Sequence, residues 1–185
     1  MSWRGAFRRD IERCVASSGD SAWKAVLVEP GLWVLLQHRI EAALFRSALP
    51  GIVRVPVRIV MTVWHRIIEL LTGVSLPCTA TIGPGLRIPH LGTIVLHADA
   101  VLGADCCLSQ GVTVGISGVG ERRGVPRIGD RVYIGPNAVV VGRISVGSDV
   151  VIGANSVVNR DVPDHRTVLG VPAQIVSERG SEEYL

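Results

Sequence analysis

The side chains able to move a proton, carry an acyl group or hold a metal are few here: five histidines and four cysteines. His90 stands out. It lies in Ile88-Pro89-His90-Leu91-Gly92-Thr93, two positions after an inward-pointing isoleucine, so its ring is expected to project outward. An imidazole titrates near neutrality and suits the removal of a proton from a hydroxyl, a poor nucleophile until deprotonated. Cys106 takes a small inward position and reads as a core thiol, while Cys107 points outward with nothing beside it marking an acyl carrier. Cys14 and Cys78 complete a set with no CxxC pair, and free thiols are expected. His90 and His97 have no third histidine at ligand spacing, the only later one being His165, so no metal is expected. His38 and His65 fall in helical segments and read as structural or solvated.

These residues must be positioned by two different kinds of chain. From Leu76 onward apolar residues recur every six: Leu76, Ile82, Ile88 and Ile94, then, after a two-residue slip, Leu102, Leu108 and Val114. They resume at Ile128, Ile134, Val140, Val146, Ile152 and Val158. Glycine follows directly at Gly83, Gly103, Gly115, Gly129, Gly135, Gly147 and Gly153, and small or branched residues such as Ala80, Cys106, Val132, Ala138 and Ile144 come four after the first. A fixed short period of this kind predicts a β-solenoid. Each unit is a short strand and a corner. The branched residue points inward, and the glycine relieves crowding where unusual backbone angles are needed. Between Val114 and Ile128 the repeat is interrupted by GISGVGERRGVPR, which must project outward as a loop over 115–127 and is a candidate binding element.

Residues 1–73 read instead as helices. Trp3, Phe7, Ile11 and Val15 recur on one face; Asp20-Ser21 suits an N-cap; Pro30-Gly31 opens a third helix that Pro50-Gly51 stops. A fourth helix runs to about Leu71, with Pro56 as a kink. The stretch from Leu49 to Leu71 is the most apolar, but Arg54, Arg58, His65, Arg66 and Glu69 argue against a membrane span. It suits packing on a partner subunit or lying on a membrane surface. The sequence has 185 residues, 48% of them apolar, with 21 glycines, 10 prolines and few aromatics, which excludes wholesale disorder and favours many short strands. The net charge of +3 is too small to point to nucleic acid. The opening MSWRGAFRRDIERC has no apolar signal core, so a reducing cytoplasm is expected.

The stretches IGPGLRIPHLGTIV, HADAVLG, SQGVTVG, IGDRVYIGPNAVVVGRISVG, VIGANSVVNRDVPD and GVPAQIV resemble the hexapeptide-repeat acyltransferases, and within them the serine acetyltransferase family. RRDIER and EPGLWVLLQHRIEAAL resemble the family's helical front, here much shorter. The resemblance implies a mainly β fold, a left-handed parallel β-helix over 74–176, behind an N-terminal helical region over 1–73 and ahead of a tail over 177–185. It implies trimers, with acetyl-CoA in the groove between adjacent β-helices, hexamers built through the helical part, and no metal. The matching histidine, His90, is the base that deprotonates the acceptor hydroxyl as it attacks the thioester.

Departures bear on the acceptor. Ser75 stands where the family orients its base with an aspartate, Pro89 replaces the acidic residue before the base, and the loop reads Glu121-Arg122-Arg123-Gly124-Val125-Pro126 without the family's second histidine. Arg122 and Arg123 remain as substrate-binding candidates. The acceptor is therefore L-serine or a sugar hydroxyl, with a non-catalytic acetyl-CoA-binding scaffold as the third reading. By match, Gly115, Gly135, Ala138 and Gly153 hold the pantetheine arm, while Gly170 and Arg160 lie near the nucleotide and its phosphates. An amide or polar group near Gly115 would steady the oxyanion. The ending Gly180-Ser-Glu-Glu-Tyr-Leu185 lacks the terminal isoleucine through which family members dock into the sulfhydrylase, so that complex is not expected.

Overall fold

The computed structural model describes residues 2–19, 21–48 and 50–185. Four helices precede the strands: α1 (Trp3–Ser18), α2 (Ala22–Val28), α3 (Pro30–Arg46) and α4 (Gly51–Thr72). Ser2 caps α1 through its side chain, and Gly19 closes it in the left-handed conformation. Ser21 occupies the cap of α2 without a side-chain bond, and Asp20 lies outside the described residues. Pro56 sits inside α4, which continues through it. No described helix is long and apolar enough to cross a membrane. The outward face of α4 nevertheless exposes Ile52, Ile59, Val63 and Leu70, two of them by more than 85%.

After α4 the chain winds into a left-handed parallel β-helix of three-sided coils. One side stacks Val74–Ser75, Ile94–Leu96, Thr113–Gly115, Val139–Val141 and Val157–Val158. A second side stacks four strands and a third five, the last closed by an antiparallel hairpin of Thr167–Gly170 with Ala173–Ser177. Where the coils are regular, partners lie 18 residues apart, as in Arg127 with Ser145 and Val139 with Val157: three units of six per turn. All thirteen apolar repeat positions are buried, from Leu76 to Val158, and they form one core together with the undersides of α1 and α3.

Two features differ from the sequence expectation. The two-residue slip lies before Ile94, not after it. Val74 pairs with Ile94, Thr81 with Val101 and Arg87 with Cys107, each 20 apart, whereas Val95 already pairs with Thr113 at 18. The additional residues therefore fall between Arg87 and Val95. The repeat proper runs Ile88, Leu96, Leu102, with Ile94 as a second inward residue of its strand. The slip segment is the one carrying His90.

The second difference concerns the corners. The glycines after the inward residue have ordinary φ, and all of them but Gly115 are required by crowding. A Cβ on Gly83 would sit 2.4 Å from the carbonyl carbon of Gly103 in the next coil, and one on Gly103 would sit 2.5 Å from that of Gly129. The left-handed angles fall two positions later, on Gly85, Asp105, Arg131, Asp149 and His165 along one edge and on Gly111, Asn137 and Asn155 along another.

Residues 177–185 fold back against the β-helix. The Ser181 hydroxyl donates to the carbonyl of Arg131, and the Tyr184 ring lies against that of Tyr133 with centroids 5.0 Å apart.

Candidate active site

The helical front is bolted to the first coil by a buried ion pair. Arg39 of α3 grips both carboxylate oxygens of Asp10 of α1 at 3.0 and 3.1 Å, and donates to the carbonyls of Ile82 and Gly83 at 2.6 Å each. Asp10 in turn accepts from the backbone amides of Gly85 and Leu86 at 2.7 and 3.0 Å. Every polar atom of the pair is thereby engaged, which is what allows an ion pair to be so completely buried. Arg13 adds bonds to the carbonyls of Gly85 and Asp105, and Arg9 meets the Asp105 carboxylate at 3.0 Å. Sequence reasoning assigned none of these partners. The signal was present in RRDIER and QHRIE, an arginine and an aspartate each set among apolar helix positions.

Held this way, α1 and α3 roof a cavity of about 250 Å³ floored by the segment from Leu86 to His90. Gly31 permits the close approach: a Cβ there would lie 2.4 Å from the carbonyl oxygen of Ile88. His90 is exposed at the rim, on a bend where the chain leaves the regular coil before Gly92, whose φ is +148°. Among the described residues no hydrogen bond engages its ring, so both nitrogens are open to a ligand. Ser75 faces elsewhere. Its hydroxyl bonds Glu69, and this bond, together with Arg66 at 2.6 Å, holds that carboxyl below the usual carboxylate range despite partial burial.

The other histidines are committed differently. Burial beside Arg39 pushes His38 down to about 4, so it stays neutral under its 3.4 Å contact with the Leu76 carbonyl. His65 lies 3.2 Å from Glu41 in the joint between α3 and α4, and the carboxylate raises its pKa. Cys106 is sealed in the core, which pushes its thiol up to about 12. Cys107, expected to point outward, is buried as well, and burial raises its thiol too. Neither offers a thiolate. Among the described residues no three His, Cys, Asp or Glu side chains converge on a metal-binding geometry.

The loop over 115–127 projects from the coil and doubles back on itself. Ser117 and Gly124 exchange backbone bonds at 3.1 and 3.0 Å around a short turn at Gly120–Arg122, and Arg143 of the next coil reaches the Glu121 carbonyl at 3.3 Å. Val119 at its tip is 89% exposed. Arg122 lines a groove there with Val141, Arg143 and Asn159, and Arg123 is exposed beside it. One protomer therefore does not bring Arg122 to the His90 cavity.

The remaining candidates lie along the coils. A Cβ on Gly115 would meet only side-chain atoms at 3.7 Å or more, so that corner is open, and Gly170 likewise has room around it. Gly135 and Gly153 are crowded by the next coil, and Ala138 is wholly buried, so these three present backbone rather than side chain. Arg160 is exposed.

Residues 126–160 match the family model described as bacterial transferase hexapeptide (six repeats). Serine acetyltransferase from Synechococcus elongatus is 35% identical over 174 residues, 94% of this chain and 67% of that protein. The enzyme from Mycobacterium tuberculosis is 33% identical, over 95% and 72%. The chain belongs to the serine acetyltransferase family. It is an acyltransferase of the hexapeptide-repeat type. Among solved structures, Neisseria gonorrhoeae serine acetyltransferase in complex with serine superposes with a TM-score of 0.81 at 31% identity, over 95% of this chain and 69% of that one. A serine acetyltransferase in complex with CoA does so with a TM-score of 0.78 at 29% identity, over 93% and 68%. The chain thus spans about two thirds of the length of these relatives.

Proposed function

We propose that this chain transfers the acetyl group of acetyl-CoA to the hydroxyl of L-serine, giving O-acetylserine and CoA, with His90 as general base. The observation that carries this is an unpartnered imidazole at the rim of a cavity, in a family whose relatives are named for that reaction. A ring nitrogen of His90 takes the hydroxyl proton as the oxygen attacks the thioester carbonyl. A C–O bond forms and the C–S bond breaks, and the imidazolium returns the proton to the departing thiolate. The coil corners at Gly115, Gly135, Ala138 and Gly153 are the proposed contacts for the pantetheine arm, with Gly170 and Arg160 toward the nucleotide. An amide at the open Gly115 corner is the proposed oxyanion donor.

The reading includes a homotrimer. Within one protomer Arg122 and Arg123 lie away from the His90 cavity, and a neighbouring β-helix is what would carry them to it. It also places the reaction in the cytoplasm, consistent with four cysteines that form no disulfide among the described residues. The test is CoA release from acetyl-CoA with L-serine, followed by chromatography because thiol dyes would react with those cysteines. His90→Ala is expected to lower serine-dependent release by about 10²-fold or more while acetyl-CoA still binds. Unchanged release in the variant would refute the assignment.

A further inference from the structure

Three charged side chains line the His90 cavity, and they are not equivalent. Asp10 is saturated by Arg39 and two backbone amides. Arg87, on the floor, and Glu29, at the start of α3, are not: among the described residues no hydrogen bond or ion pair takes either head group, and the two do not pair with each other. The backbone of Arg87 is fixed, its amide donating to Cys106 at 3.0 Å and its carbonyl accepting from Leu108 at 2.9 Å, so only its side chain can answer a ligand. Two residues of the cavity lining thus carry head groups without a partner, a guanidinium and a carboxylate, and the rim holds the imidazole.

We infer that Arg87 and Glu29 are specificity-determining residues that select a zwitterionic acceptor, Arg87 pairing with its carboxylate and Glu29 with its ammonium, so that the hydroxyl falls at His90. The inference rests on the reading of His90 as base and deepens it, because it decides between the amino acid and sugar acceptors that the sequence leaves open. A planar guanidinium matches a carboxylate in a two-pronged bond, and charge-assisted bonds are the strong ones. A neutral sugar can offer hydroxyl hydrogen bonds to both groups but brings a counter-charge to neither, which favours the zwitterion over it. The cavity holds a molecule of a few heavy atoms, as a small hydroxy amino acid requires.

The experiment compares full-length wild type, Arg87→Met and Glu29→Gln with L-serine, with ethanolamine, which lacks the carboxylate, and with 3-hydroxypropanoate, which lacks the ammonium. L-serine binding is measured in parallel by calorimetry. Arg87→Met is expected to raise the KM for L-serine about ten-fold or more, with kcat changed by less than about three-fold. It should also lower the kcat/KM preference for L-serine over ethanolamine by about ten-fold. Glu29→Gln should lower the preference over 3-hydroxypropanoate similarly, and Arg87→Lys should restore part of what Arg87→Met loses. Variants that bind L-serine as wild type does, while turnover persists, overturn the inference and leave the acetyl-transfer reading standing. Equal losses toward all three acceptors indicate a merely structural role and also overturn it. Arg87-dependent L-serine binding without turnover supports the inference and sinks the acetyl-transfer reading. A wild type that neither binds nor acetylates L-serine overturns both.

Discussion

The helical front and the β-helix hold themselves together by opposite means. The β-helix is a column of apolar residues, each lying over its equivalent in the coil below, with backbone bonds running between coils and few charges inside. The front adds a smaller apolar share to that core, chiefly Leu32, Val34 and Leu35 of α3. Of α4 only Ile68 and Thr72 are buried, and the attachment of α1 and α3 to the first coil runs through Asp10, Arg39, Arg13 and Arg9. The first arrangement spreads stability over many similar contacts. The second concentrates it in a few polar ones, where losing a single partner leaves a charge buried and alone.

The sharpest way to break this contrast is Arg39→Met. It strands the Asp10 carboxylate and is expected to cost about 3–5 kcal/mol in denaturant unfolding, and Asp10→Leu combined with Arg39→Met should recover only part of that loss, because the amides of Gly85 and Leu86 and the carbonyls of Ile82 and Gly83 then lose their partners. Full recovery would show that those backbone bonds add nothing to the attachment. Ile134→Ala in the column is expected to cost about 2–4 kcal/mol, with no single second-site substitution that restores it, because the loss is a cavity rather than an unpaired charge. The smallest effect lies at the α3–α4 joint. Glu41 raises the pKa of His65 above its unfolded value, so the stability it adds is complete below the unfolded pKa and is lost as pH rises through the folded one. His65→Gln should flatten that part of the stability–pH profile by about 1 kcal/mol or less, the joint being partly solvent-screened. A profile unchanged by the substitution would remove His65 from the joint's energetics.

The same contrast governs what could be read from the sequence. The period of six was sufficient for the column because each inward residue meets residues at fixed offsets, and every one of its predicted positions is buried. It also placed His90 outside the core. It misplaced the slip because both Ile94 and Leu96 are inward and buried, so either could be counted as the repeat position until the strand pairings separate them. It gave the glycines two tasks when they perform one, the left-handed angles falling instead on residues such as Asp105 and Asn137. The Asp10–Arg39 pair spans 29 residues of chain and the Arg9–Asp105 pair spans 96, and no local pattern announces contacts of that kind. Arg87 and Glu29 were invisible for the same reason. Each is an ordinary surface charge until the roof closes over the floor.

The projecting loop sits on the β-helix without disturbing it. Strand pairs that span it, such as Thr113 with Val139, are 26 residues apart, and those above it, such as Val139 with Val157, are 18 apart. The excess of eight is absorbed at one corner while all three sides stay aligned. That corner is a graft point. Segments of other lengths and sequences can be exchanged there as on a modular frame, so that a lineage, or an engineer, can rewrite what the loop presents at the surface without asking the frame to refold.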